Sequence, residues 1–300
     1  MTRSTQPRPV VVGIDGSEAA RTAAAFAAGE ARQRDTSLHL LHALSWPLAG
    51  IAARTEPDMD LRTMLRTGAE TMLRGAAAEA ADVLGAERVT WSVVEPDPVT
   101  ALWEASDDAQ LIVVGSRGVG GVAGLLVGST TNGLVAHSSC PVVVLPDPTS
   151  AAVSPRSSVV VGLEGRPEDD VLLEFAYAEA AARGTDLVAV HAWQDVAPET
   201  AFQSMSPLVD WAGVLADEER VLAEALAGWR DKDPDVPVRE AVLRERTARA
   251  LVSVGLTAQL LVVGHRHRSP LTRLGSTTHG VLHRAGCPVA VVPIPTGGAR

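Results

Sequence analysis

The chain has 300 residues, enough for two ordinary domains, and its composition of 46% hydrophobic but 3% aromatic residues requires cores of aliphatic side chains and alanine. A net charge of −10 excludes a sequence-independent nucleic-acid binder, which needs basic surface to displace counterions, and no apolar run is long enough for a membrane span. With no apolar leader visible at the start and only two cysteines, Cys140 and Cys287, the expected compartment is a reducing cytoplasm.

In chain order, an apolar run at 9–14 predicts a strand, and the alanine-rich stretch 17–34 predicts a helix. A second strand is expected at 37–44, a long helix at about 58–84, a third strand at 88–94 and a short helix at 99–106. A fourth strand at 110–114 leads into a glycine-rich loop, a helix opening Gly-Ser-Thr-Thr and a fifth strand at 141–145. The pattern then repeats: strand 158–163, helix 167–183, strand 185–193, helix about 208–229, strand 236–243, helix 247–254, strand 259–263, loop, helix and strand 288–292. Strands apolar on both faces and alternating with helices predict a parallel sheet covered on both sides, so the fold class is α/β with two similar open-sheet domains of five strands each. The domains are expected at 1–149 and 150–300, joined by a Pro-, Ser- and Ala-rich linker at about 147–156.

The two halves are copies. Val11-Val12-Gly13 matches Val160-Val161-Gly162, and Val113-Val114-Gly115 matches Val262-Val263-Gly264, at an offset of 149. Beyond the glycine loop the offset falls to 147, where Gly128-Ser129-Thr130-Thr131 matches Gly275-Ser276-Thr277-Thr278. The second copy has therefore lost two residues inside the loop.

In the first half Gly115, Gly118 and Gly128-Ser129 stand at the spacing G-x2-G-x9-G-S. A loop so poor in side chains lets backbone N–H groups reach an anion, and the helix behind it adds unpaired N–H groups and the positive end of its dipole. Ligands of open α/β sheets bind beyond the carboxyl ends of the strands, where Gly13, Ile14, Asp15, Ala43 and Gly115 converge. The only lysine is Lys232, so P-loop NTPase chemistry is excluded. Gly118-x-Gly120-x-x-Ala123 fits a relaxed dinucleotide pattern, but it follows the fourth strand, and no Asp or Glu lies between Asp108 and Asp147. Asp15 and Ser129 also suit plain helix caps. His279 and His283 are one helical turn apart, but no acid or cysteine joins them at a ligand spacing, and no metal is expected. His42 and His191 read as structural, and Cys140 and Cys287 as small core residues. No nucleophile–base pair stands out, so a binding protein is expected rather than an enzyme.

An acid after the first strand, together with G-x2-G-x9-G-S after the fourth, resembles the universal stress protein family in its tandem form, over nearly the whole chain. The resemblance implies the Rossmann-like, adenine nucleotide alpha hydrolase-like fold, and ATP, alone or with Mg2+, as the ligand. It places Asp15 on the ribose or phosphate side, Gly13, Ile14 and the Ala43 backbone at the adenine, and Val114 and Gly115 beside the nucleotide. Arg117 and Gly118 then follow the phosphates, and Gly128, Ser129 and Thr130 hold them. The second half departs: Asp15 is matched by Glu164, the second glycine by His267, and Arg266, Arg268 and Arg273 crowd the shortened loop. A side chain where backbone must approach phosphate obstructs it, so the second motif reads as degenerate, although its arginines are still able to attract an anion. The expected role is a nucleotide-responsive stress module, a homo-oligomer with unidentified protein partners, away from nucleic acid and membrane. Two other readings stay open: a slow ATPase or nucleotide-dependent transferase, and a self-association module without nucleotide whose halves pair through their last strands.

Overall fold

Ser17 starts the first helix as the pattern predicts: its Oγ accepts a hydrogen bond from Ala20 N–H at 3.1 Å, and Glu18 adds an acid to the first turn. The computed structural model describes residues 7–44, 61–95, 97–118, 127–146, 158–193, 210–266 and 274–295. Two units emerge, one within 1–150 and one spanning 151–268 and 275–300. The linker at 147–156, as well as Gly120, Ala123, His267, Arg268 and Arg273, lies outside the described residues.

The first unit runs β1 (Val10–Gly13), α1 (Glu18–Gln33), β2 (Leu38–Ala43), α2 (Leu61–Leu84), β3 (Val89–Val94), α3 (Pro98–Ser106), β4 (Leu111–Gly115), α4 (Ser129–His137) and β5 (Val142–Leu145). The second runs β6 (Val159–Leu163), α5 (Asp170–Arg183), β7 (Leu187–Trp193), α6 (Trp211–Lys232), β8 (Val238–Arg244), α7 (Thr247–Val254), β9 (Leu260–Arg266), α8 (Ser276–Leu282) and β10 (Val289–Ile294). Strand order is β3-β2-β1-β4-β5 in the first and β8-β7-β6-β9-β10 in the second, with the pairs parallel throughout each unit. The order reverses direction at β1/β4 and at β6/β9, and there the crevice of a doubly wound sheet opens.

Alanine solves the shortage of aromatic side chains. Ala20, Ala23, Ala24, Ala27, Ala28 and Ala31 line one face of α1 and are all buried, so the helix lies close on the aliphatic strands. Leu73 and Leu222, in equivalent positions on α2 and α6, are fully buried. Gly16 and Gly165 follow the acid of each half with φ of +87° and +74°, a left-handed turn that a side chain would strain.

Two local departures from the expected elements occur. The helix expected from 167 opens instead with a 3-10 turn, Pro167–Asp169, before α5 begins at Asp170. β9 continues through His265 to Arg266, because β10 pairs with it as far as Ile294.

Cys140 and Cys287 are buried in the two units, and burial pushes their thiols up to about 11 and about 12. At pH 8 the thiolate fraction is then on the order of 0.1% or less. Both thiols are expected to resist iodoacetamide in the native chain and to react fully in guanidinium, as read by mass spectrometry.

Candidate nucleotide site

The first unit gathers most of the predicted residues at the β1/β4 switch point. Ile14 is buried, and its N–H donates to Leu41 O at 2.9 Å, which holds the end of β1 to β2. His42 Nδ1 lies 2.7 Å from Ile14 O; a carbonyl only accepts, so this ring nitrogen carries the hydrogen. The exposed Asp15 follows, and its Oδ1 accepts from Ser17 N–H at 3.0 Å. Ser17, not Asp15, caps α1; the Asp15 bond to Ser17 N–H holds the turn before the helix, and Oδ2 reaches Gly118, within contact of the position a Cβ there would take. Asp15 and Gly118, 103 positions apart in the chain, therefore meet across the crevice.

Gly115 ends β4 directly beneath the first turn of α1. A Cβ at this position would stand 2.9 Å from Ala19 Cβ and 3.2 Å from the Ala19 carbonyl carbon. Only glycine lets strand and helix come so close. Val114 beside it is buried, and Arg117 is half-buried at the loop entrance. Ala43 closes β2, on the side of β1 away from β4, in register with Val94. A Cβ added at Gly13 would stand 3.4 Å from both Leu102 Cδ1 and Val114 Cγ1.

The far wall is the start of α4. Gly128 N–H donates to Ser116 O at 2.8 Å, and Thr131 Oγ1 donates to Gly115 O at 3.0 Å. These two bonds stitch the helix start to the end of β4. Thr131 and Ser116 were not among the predicted site residues, although Thr278 repeats the bond to Gly264 O at 3.1 Å in the second unit. The signal was the second threonine of Gly-Ser-Thr-Thr, retained in both copies. No side chain caps α4, and its first backbone bond runs from Asn132 N–H to Gly128 O at 3.1 Å. The N–H groups of the opening turn, Ser129 and Thr130 included, thus face outward with the positive end of the helix dipole. By contrast, α1 and α3 are capped by Ser17 and Asp97.

The second unit keeps the scaffold and fills the crevice with its own side chains. Asp169, where the first half has Ala20, is buried, and its Oδ2 accepts from three successive N–H groups: Glu164 at 2.8 Å, Gly165 at 2.7 Å and Arg166 at 3.1 Å. The 3-10 turn exists to deliver that carboxylate. Glu164 Oε2 pairs with Arg266 Nη1 at 2.9 Å and with Arg166 Nε at 3.3 Å. Arg266, expected as a cation available in the loop, is thus engaged by the acid opposite. His191 repeats the bond of His42, with Nδ1 3.0 Å from Leu163 O, and sets Nε2 2.9 Å from Glu218 Oε2. The His279 and His283 rings lie 4.2 Å apart, and burial with the neighbouring His279 and Arg284 charges lowers the His283 pKa. Among the described residues no group of three or more His, Cys, Asp or Glu could hold a metal ion, and no helix is long and apolar enough to cross a membrane.

Burial raises the Asp169 pKa above its ordinary 3.8, and Oδ1 is buried without a partner among the described residues, ready to take the proton. A raised carboxyl pKa makes the native state the better proton binder. The stability tied to Asp169 is then fully present below 3.8 and declines as pH rises through the higher folded value. Asp169→Ala strands three N–H groups and should lose about 2–5 kcal/mol in urea unfolding. Asp169→Asn keeps an acceptor, should lose less, and should flatten the decline that sets in as pH rises above 3.8.

Known proteins reproduce both the sequence and the fold. The model of the universal stress protein family matches residues 7–146 and again 155–293. Universal stress protein Rv2005c of Mycobacterium tuberculosis is 35% identical over 297 residues, covering 97% of this chain and 99% of that protein. Universal stress protein Rv2623 of the same organism is 36% identical over 287 residues, covering 94% and 95%. The crystal structure of a universal stress protein from Archaeoglobus fulgidus shares the fold at a TM-score of 0.68, with 20% identity and coverage of 97% of this chain and 98% of that one. With its α/β units and two family matches, the chain belongs to the universal stress protein family, in its tandem two-domain form.

Proposed function

We propose that the chain binds ATP in the crevice of its first unit and responds to it as a signal in the cytoplasm, without turning it over. The observation that carries this reading is the uncapped start of α4, fastened to Gly115 and Ser116 at the end of the strand whose loop brings Gly118 to Asp15. The outward N–H groups of Ser129 and Thr130 suit phosphate oxygens. Gly118 keeps side chains off the path between them and Asp15. The Asp15 carboxylate is an acceptor for ribose hydroxyl groups, and it could equally share a Mg2+ ion with the phosphates. The adenine end comes from family resemblance, with Gly13, Ile14 and Ala43 at the strand ends and Val114 and Gly115 between. Arg117 supplies positive charge at the loop entrance. The chain has no lysine in either loop, and no nucleophile–base pair stands out in its sequence, which favours binding over hydrolysis. Binding would tune conformation or partner affinity instead.

Calorimetry with ATP, with and without Mg2+, and mass spectrometry of nucleotide released on denaturation test the reading. Binding near one nucleotide per chain is expected; absence of binding at millimolar ATP rejects it. Gly118→His puts a Cβ in steric overlap with the present position of Asp15 Oδ2 and should weaken binding at least 100-fold, while thermal stability changes little at this exposed position.

A further inference from the structure

The second unit carries cationic groups at the same switch point, arranged around a single acidic oxygen. Glu164 Oε2 receives both Arg266 Nη1 at 2.9 Å and Arg166 Nε at 3.3 Å. Arg266 comes from the end of β9 and the other two from the turn after β6, so the cluster straddles the crevice. Arg266 is the counterpart of Arg117, and Glu164 of Asp15.

Three features make this more than a surface ion pair. First, one carboxylate oxygen serves two guanidinium groups, whereas Arg266 Nη2 is buried with no hydrogen-bond partner among the described residues. A guanidinium fork is matched by a group that offers two or more anionic oxygens, as a phosphoryl group does. Second, the Arg266 side chain is only 20% exposed, whereas Glu164 and Arg166 are 52% and 59% exposed. Glu164 is therefore a solvent-side member of the cluster, where water competes for its carboxylate. Third, the turn that carries Glu164 and Arg166 is fixed independently by the buried Asp169, through three N–H bonds. The turn keeps its shape when Glu164 swings away, and its N–H groups are not available to a ligand. Recognition falls to the guanidinium groups.

We propose that the second unit holds a latent oxyanion site, built on Arg266 and Arg166, that takes an oligophosphate and is closed in the resting chain by Glu164. The glutamate carboxylate is an internal competitor: it occupies the place of one phosphate oxygen and leaves the second position of the Arg266 fork unfilled. The two units then differ in emphasis. The first adds the backbone N–H groups of α4 to Arg117, and the second relies on side-chain cations behind an acidic gate. This inference is independent of nucleotide binding in the first unit.

The test uses the full chain carrying Gly118→His, titrated with inorganic tripolyphosphate and, separately, with ATP by calorimetry. Adding Glu164→Gln should strengthen tripolyphosphate binding at least ten-fold, and adding Arg266→Gln to that variant should abolish the gain. Far-UV circular dichroism and melting temperature control for folding; Glu164 is half exposed, so Glu164→Gln should melt as the parent does. An unchanged affinity after Glu164→Gln overturns the proposal, as does a gain that survives Arg266→Gln. Tighter binding of ATP than of tripolyphosphate in the opened variant assigns the site to a nucleotide tail, and equal binding assigns it to free oligophosphate. Residual ATP binding in Gly118→His that Arg266→Gln leaves intact belongs to the first unit; it counts against the role given to Gly118 and not against the gate.

Discussion

The close seat of α1 on the end of β4 governs the first crevice. With no Cβ at Gly115, the first turn of the helix rests almost on the strand backbone. Its position sets where the turn before it, with Gly16 at positive φ, must pass. That turn carries Asp15, and the loop leaving β4 carries Gly118, so their meeting is a consequence of how strand and helix pack. The alanine face of α1 serves the same end, since bulkier residues would lift the helix and open the gap. The opposite wall obeys a second constraint of the same kind, because Thr131 and Gly128 tie α4 to the backbone of Gly115 and Ser116.

Duplication kept this frame and changed what fills it. The histidine at the end of the second strand, the positive-φ glycine and the threonine bond to the fourth strand all recur. Against that constant background the chemistry diverges. An exposed Asp15 with a glycine opposite becomes Glu164 bridged to Arg266, and Ala20 becomes a buried Asp169 that gathers three N–H groups. Farther out, Arg62 pairs with Glu95 in the first unit. At the equivalent places of the second, Arg244 Cζ lies 3.6 Å from the Trp211 ring centroid, and Trp193 stacks on Trp211. An ion pair has become a cation–π contact, which keeps the helix start attached to the strand end by a less hydrated link.

This contrast suggests how a tandem chain can evolve beyond two equal sites. A backbone cradle discriminates little among phosphates and depends on glycine for access. A side-chain cluster can be gated, because an acid nearby competes for the same cations. Asp169 makes such gating possible by holding the turn rigid whatever Glu164 does. The charge left buried by that arrangement is a cost that the first unit, with alanine at the same place, does not bear.

Much of this was legible in the chain itself. Alternating apolar runs and helical stretches placed the strands within a few residues, and the repeat revealed two similar halves. The conjunction of Asp15 with the glycine spacing marked where chemistry would gather, because strand ends of a parallel sheet share one edge. What the sequence could not reveal was which residues touch. Asp15 and Gly118, or Glu164 and Arg266, are about a hundred positions apart, and their contact depends on the order of strands at the switch point. Nor could spacing show that Gly115 serves helix packing, that Thr131 fastens the helix start, or that Asp169 turns inward. Local periodicity reports which face of an element is buried, whereas the partner of each polar group is chosen only when the sheet closes and every buried donor must find an acceptor.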